Sequence, residues 1–445
     1  MGEIKKNLEE QIKSVAKKFL EESENENIFV ISHFDTDGIS SATIMIKALK
    51  RLDKKFSIKI LKGLEDSYIQ NLPKDKLIIF LDLASNSLNA IKDANLKKVF
   101  IIDHHEIIQE IPEEMEIINP ELHTKQKLSS SSLVYLFCKE LDETNKDLAK
   151  LAVLGMVGDL LEKDISKLNN HILDDGEIKK RRGLLIYPST RPINKTLEYS
   201  SKPFIPGVTG DSQGVIELLR EVGLMPKDGK FKSIIEMNDD EMERLVTAIM
   251  LRNPKAKYKE IIGDIFLIKL YNKLEDAREI SAIVNACSRL EKSNLALQFL
   301  MEIPHAKKKA EPIHIKYRQH IIEGLKFANE TEKIIGKGFM ILNAKDNIKD
   351  TIIGTIASIL SNSSLYEEGT IIVTMAYYET KIKVSARSVG KSGRNVREVL
   401  NKVILQTGGQ VGGHEFAAGC ILSQEKEKDF LELLKKGLEI ELVKI

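Results

Sequence analysis

The chain has 445 residues, 42% hydrophobic and 30% charged, enough for two or three domains whose cores need no covalent staples. Lys and Arg number 67 against 66 Asp and Glu, a formal charge of +1, which excludes a uniformly basic body and confines any nucleic-acid contact to a local patch. The widely spaced Cys138, Cys287 and Cys420 read as small core hydrophobes in a reducing compartment, and no apolar run reaches the ~18 residues of a membrane span.

The N-terminus reads as a Lys/Glu-rich amphipathic helix over residues 1–23, with Ile4, Leu8, Ile12, Val15 and Phe19 on one side. It is not a signal peptide, and a cytoplasmic location is expected. Abundant Ile, Lys and Glu with no Trp resemble hyperthermophile usage. A strand is predicted over Ile28–Ser32; it stops in His33-Phe34-Asp35-Thr36-Asp37-Gly38, ahead of a helix over Ile39–Leu52. Phe56, Ile58 and Ile60 alternate with polar residues as a second strand. Leu77–Leu81 (LIIFL) ends in Asp82, with Ser85 and Ser87 as caps for a further helix, and Val99–Ile102 (VFII) ends in Asp103-His104-His105. Near-continuous apolar strands alternating with helices predict a parallel sheet covered on both faces. Helices follow over Leu128–Leu141, opened by Ser129–Ser132, a helix start fit for capping alone or for a phosphate, and from Leu148 to Asp159.

Residues 162–215 carry weaker patterning, with a basic pair Arg181-Arg182 and punctuation by Pro188, Pro192, Pro203 and Pro206; they are expected to lie over the face of the first domain. From 215 to 335 the pattern is mostly helical and charged, including Leu290–Leu300 and a long helix from Ile313. The last segment alternates again: strands at Gly338–Leu342, Thr370–Met375, Lys381–Ala386 and Gly419–Leu422, and helices at Ile352–Leu360, Val396–Ile404 and Lys426–Leu434. Gly390-Lys391-Ser392 is not a P-loop, because position 385, where its first glycine belongs, is Ser. The fold class expected is α/β: a parallel-sheet domain over 1–215, a mostly helical linker or insertion over 216–335, and a smaller α/β domain over 336–445.

His33, Asp35, Asp37, Asp82, Asp103, His104, His105 and Asp159 thus gather at strand and helix ends, where open α/β sheets take their ligands. Any one of them alone is a solvated turn or a cap. Together, hard carboxylate oxygens mixed with imidazole suit Mn²⁺ or Mg²⁺ better than structural zinc. Five carboxylates and three imidazoles are too many for one ion, but two ions held ~3.5–4 Å apart use them, one carboxylate bridging. Without cations so many acids in one cleft would repel.

HFDTDG at 33–38, the Asp82 strand end, Asp103-His104-His105 and GMVGD at 155–159 resemble the four motifs of the DHH phosphoesterase superfamily. SARS at 385–388 and GGQVGGHEFAAG at 408–419 resemble its DHH-associated substrate-binding domain, and the combination is similar to the RecJ-like single-strand nucleases of archaeal type. The resemblance implies that His33, Asp35 and Asp82 hold one manganese ion, and Asp37, Asp82, His104 and Asp159 the other, with Asp82 as the bridge. It implies that His105 contacts the scissile phosphate and that Asp103 orients the imidazoles. In the tail, Arg387 and His414 would grip phosphates, the N–H groups of Gly412 and Gly413 would form an anion nest, and Arg394 and Arg397 would follow the strand backbone.

Three functions fit these residues. One is a two-metal exonuclease on single-stranded DNA or RNA ends. Another is a phosphodiesterase for very short oligonucleotides or cyclic dinucleotides; with the chain ending at Ile445, no oligonucleotide-binding barrel is expected after the last motif, which keeps this reading open. A third is a replisome scaffold, with a GINS-type complex or a single-strand-binding protein as partner and residues 216–335 as the docking element. An intact ligand set argues against a purely structural role, and no membrane partner is expected.

Overall fold

The computed structural model describes residues 7–123, 126–200, 205–253, 258–363 and 365–439. The apolar runs of its first part form one all-parallel sheet: β1 (Ile28–His33), β2 (Phe56–Leu61), β3 (Leu77–Leu81), β4 (Lys98–Ile102) and β5 (Met115–Ile118), in the order β2-β1-β3-β4-β5. Every residue of β3 is buried, as a central strand with two covered faces requires. Alternate residues serve two cores. Val30, Ile79 and Phe100 face α1 (Leu8–Glu22), α2 (Thr36–Arg51), α5 (Ser130–Leu141) and α6 (Ala149–Gly158); Ile31, Ile78 and Ile101 face the short α3 (Asp66–Gln70) and α4 (Leu88–Asp93). The strand order reverses direction across β1, so the crevice beyond the carboxyl ends of β1 and β3 is a topological switch point.

Two local readings need correction. The second helix starts at Thr36, not Ile39, because Asp35 is its N-cap: the Oδ1 of Asp35 accepts the Gly38 N–H at 3.0 Å. Asp37 therefore sits in the first helical turn, pre-positioned by the helix rather than carried on a loop. The long helix α14 (Pro304–Glu330) starts nine residues before the expected Ile313, with Pro312 inside it, a residue that by sequence signals a break. Ile4 lies outside the described residues.

Of residues 162–215, α7 (Lys167–Asp175) packs into the first core through Leu168, Ile172 and Leu173, with Ile165 and Ile178 on either side of it. The rest does not cover the first sheet. β6 (Lys179–Leu184) pairs antiparallel with β7 (Ile262–Leu270), which pairs with β8 (Lys273–Asp276). With α8 (Ile193–Glu198), α9 (Ser212–Glu221), α10 (Asp239–Arg252) and α11 (Tyr258–Ile261) these strands enclose a second core running from Leu184 to Leu267. β6 reads KKRRGL, which has no apolar alternation; the Arg181 guanidinium donates to the carbonyls of Ile235 and Met237 instead of reaching solvent. β7 is shared, with Phe266, Ile268 and Leu270 in the first core and Ile265 and Leu267 in the second. α12 (Ala277–Arg289) and α13 (Ser293–Leu300) then return to the first core.

The chain divides into two compact units, 1–313 and 314–445. The second holds β9 (Ile334–Gly336), β10 (Phe339–Asn343), α15 (Asp350–Ser361), β11 (Ile371–Tyr378), β12 (Lys381–Ser388), α16 (Val396–Thr407), β13 (Gln410–His414), β14 (Ala417–Ser423) and α17 (Glu427–Glu439). Its mixed sheet has the order β13-β14-β12-β11-β10-β9, with β10 and β11 parallel and the other pairs antiparallel. Among the described residues no helix is long and apolar enough to cross a membrane.

Candidate metal centre

Asp82 follows β3 in a left-handed conformation (φ 58°), which turns its carboxylate back over the rim of the sheet instead of along the strand. It is 1% exposed and stands at the centre of the predicted residues. Its Oδ2 lies 3.3 Å from His33 Nδ1, which is 3.1 Å from Asp35 Oδ2. Its Oδ1 lies 3.6 Å from His104 Nε2, which is 3.5 Å from Asp159 Oδ2. Side-chain ligand atoms converge within 4.8 Å in three groups: His33, Asp35 and Asp82; Asp37, His104 and Asp159; and Asp82, His104 and His105.

Most of these side chains are aimed by a further protein contact. The backbone N–H groups of Ser130 and Ser131, at the start of α5, donate to Asp37 Oδ2 (2.7 Å) and Oδ1 (3.0 Å), and the Ser130 hydroxyl donates to Asp82 Oδ1 at 3.0 Å. A helix N-terminus holding a carboxylate is electrostatically favourable. The Nδ1 of His104 is 3.1 Å from the Leu128 carbonyl, which leaves Nε2 to face Asp82 and Asp159. The Oδ1 of Asp103 accepts from the His104 N–H (2.8 Å) and lies 2.7 Å from His105 Nδ1, while its Oδ2 accepts from the Ser85 N–H at 3.0 Å. The Nδ2 of Asn119 donates to the Ser85 hydroxyl and to the His105 carbonyl.

The electrostatics fit a cation. Burial, then the charges of Asp35 and Asp37, push the Asp82 carboxyl well above the usual range. Burial, then Asp37 and Asp35, do the same to Asp159. The Oδ2 of Asp159 is buried and has no hydrogen-bond donor among the described residues. Burial acts against charge on Asp103 too, but the charge and hydrogen bond of His105 outweigh it and hold that carboxyl far below its usual value. Burial lowers His105, while Asp103 more than reverses this and brings it to about 9. Carboxylate oxygens and imidazole nitrogens gathered around a buried acid suit one or two hard divalent ions.

Close packing preserves this arrangement. A Cβ on Gly155 would lie 2.0 Å from Ser131 Oγ and 2.1 Å from Asp37 Oδ1. Sequence reasoning took Ser129–Ser132 as a cap, and Ser129 does accept from the Ser132 N–H, but it missed the grip of Ser130 and Ser131 on two acids. The missed signal is a serine run opening a helix in a chain whose acids already lack counter-charges.

Residues 27–156 match the DHH family N-terminal domain, 186–261 the DHH-CID domain and 336–439 the DHHA1 domain. The chain carries the DHH, DHH-CID and DHHA1 domains of the DHH superfamily, in a fold like that of RecJ. An uncharacterized protein of Methanocaldococcus jannaschii is 26% identical over 452 residues, 97% of each chain. This DHH protein superposes on RecJ of Thermus thermophilus in complex with Mn²⁺ at a TM-score of 0.59 and 17% identity, over 98% of its own length but 55% of the RecJ chain. CDC45 of Entamoeba histolytica gives a TM-score of 0.68 at 11% identity, over 97% and 99% of the two chains.

The predicted DHHA1 residues occupy the β12–β14 region. The Arg387 guanidinium donates to Ser358 Oγ (3.2 Å) and to the carbonyls of Ala386 (2.8 Å) and Ala418 (3.2 Å). Gly412, Gly413 and His414 are exposed on the edge strand β13, opposite Gly419, Ala418 and Ala417, and Gly413 has φ 113°. The structure turns Arg394 Nη1 to the Gly437 carbonyl in the last turn of α17, at 3.2 Å, and Arg397 lies in the first turn of α16.

Proposed function

We propose that this DHH protein is a two-metal phosphodiesterase that removes nucleotides from the ends of single-stranded DNA or RNA, with Mn²⁺ as its ion and Mg²⁺ as the alternative. The observation that carries this reading is Asp82: a buried acid with one ligand group on each of its two oxygens, as a bridge between two ions needs. His33 and Asp35 would complete one site; Asp37, His104 and Asp159 would complete the other. Divalent ions bound there supply a water of lowered pKa and neutralise charge developing on the phosphate.

The chain's own residues do the rest. Asp103 holds the Nδ1 edge of His105 at 2.7 Å, which leaves the opposite ring edge to meet a phosphate oxygen, and in the metal-free fold the Asp103 carboxylate raises that imidazole to about 9. Arg387, His414 and the amides of Gly412 and Gly413 bind the phosphates of the strand, and Arg394 extends that contact. Replication proteins, a GINS-type complex or a single-strand-binding protein, are the chain's proposed partners.

The test is digestion of end-labelled single-stranded DNA and RNA of graded length with Mn²⁺. Stepwise shortening of long strands supports the exonuclease reading; cleavage confined to dinucleotides or cyclic dinucleotides replaces it with the short-substrate one. No hydrolysis with any divalent ion, in a protein that still folds, removes the enzyme reading and leaves a scaffold.

A further inference from the structure

Thr36 separates the candidate ligands Asp35 and Asp37, yet it is held by a helix from far along the chain. It is 1% exposed. Its N–H, one of the donors that the start of α2 leaves without an intrahelical partner, goes to Asn285 Oδ1 at 3.2 Å. Its hydroxyl donates to the Ser281 carbonyl at 3.0 Å and accepts from the Ser281 hydroxyl at 3.2 Å. One turn beyond Asn285, the Arg289 guanidinium stands 5.4 Å from the Phe34 ring centroid. Ser281, Asn285 and Arg289 recur at the four-residue spacing of one helix face, so a single stripe of α12 grips residues 34–36. A Cβ on Gly158 would lie 2.9 Å from Thr36 Cβ and 3.6 Å from Ser281 Oγ, so the residue before Asp159 closes on the same contact. α12 lies beyond the DHH match (27–156) and the DHH-CID match (186–261), in the stretch expected to be a linker.

We infer that Asn285 and Ser281 are positioning residues for the metal centre: through Thr36 they set the separation of Asp35 from Asp37, and with it the spacing of the two ion sites. This rests on the proposed ligand roles of Asp35 and Asp37. Neither α12 residue touches an ion. Asn285 acts by satisfying a buried amide, and without it the first turn of α2 is free to shift, carrying Asp37 with it. Outer-shell partners of this kind change metal affinity by about 10–100-fold when removed.

Titration calorimetry with Mn²⁺ alone, on the full chain, tests it. Asn285→Ala is expected to bind manganese about tenfold more weakly than the wild type while melting within a few degrees of it. Asn285→Asp keeps an acceptor for the Thr36 N–H and is expected to recover most of the affinity. Hydrogen exchange supplies a second readout: loading with Mn²⁺ is expected to protect amides of residues 277–289 as well as those of 36–43. Wild-type affinity in Asn285→Ala, or a lowered melting temperature with unchanged manganese binding, overturns the inference and makes the contact structural only. If the wild type itself takes up no manganese, it is the metal reading that fails.

Discussion

The metal rim of the first unit and the glycine-rich hairpin of the second handle charge in opposite ways. Asp37, Asp82 and Asp103 are each 1% exposed and fixed by helix-end amides, hydroxyls and imidazoles. Gly412, Gly413 and His414 stand exposed on an edge strand, and Arg387 beside them rests on carbonyl oxygens. Buried like charges raise the energy of the ion-free fold, so the first region sacrifices stability for a site that accepts only a cation. In the second, the exposed His414 side chain can change without disturbing the core, whereas Gly413, at φ 113°, leaves no room for a Cβ beside the Ala417 carbonyl. Mutations should therefore trade stability against chemistry in the first region, while a change at His414 should affect binding alone in the second.

The sharpest separation should come from Asp82→Asn. Asn tolerates the left-handed backbone and can still accept from Ser130, yet it cannot bridge two cations. Hydrolysis should fall by more than the ~100-fold typical of outer-shell changes, while the metal-free protein melts about 2–4 °C higher. A lower melting temperature would break the contrast. Gly155→Ala drives a methyl group into Ser131 and Asp37 and should cost about 1–3 kcal/mol together with manganese affinity, read by chemical denaturation and calorimetry. His414→Ala should weaken binding of a single strand about tenfold, the worth of one charge-assisted hydrogen bond, with melting temperature and manganese uptake unchanged. Loss of bound metal in that variant would merge the two regions.

The smallest effect concerns pH. The raised carboxyls of Asp82 and Asp159 keep protons in the metal-free fold that the unfolded chain has already released, so their stabilisation is present at low pH and lost as pH rises through their folded values. Asp35 and Asp103 shift the other way, and their stabilising effect is lost only at lower pH. Manganese must displace the protons on Asp82 and Asp159, and that on His33, whose pKa Asp35 raises against the effect of burial. The gain in melting temperature at fixed Mn²⁺ should therefore grow between about pH 5 and 8; a gain that shrinks over that range would place the ion elsewhere.

The parts of the fold that were legible are those written in local pattern. LIIFL and VFII are continuous apolar runs because both faces of their strands are covered, and the acids that end them mark the ligand edge of the sheet. β6 was not legible, since KKRRGL is an edge strand whose Arg181 reaches distant carbonyls and whose Lys180 pairs with Asp264 across the ladder. β5 has only four residues and follows an acidic turn. At the site, metal-capable residue types could be named one by one, whereas Ser130, Thr36 and Asn285 are ordinary residues whose roles exist only across separations of 48 and 249 positions.

The shared strand β7 has a consequence for modular history. Leu184 stands opposite Ile262, and the Leu185 N–H meets the Ile261 carbonyl at 2.7 Å, so the stretch matching the DHH-CID domain leaves and rejoins the body at adjacent rungs of one ladder. It occupies the place where a tight hairpin turn could join the two strands. Excising 186–261 needs only a short connector to close the backbone, but it strips the cover from Ile265 and Leu267. A chain lacking 186–261 would need polar residues on that face, or another protein to cover it.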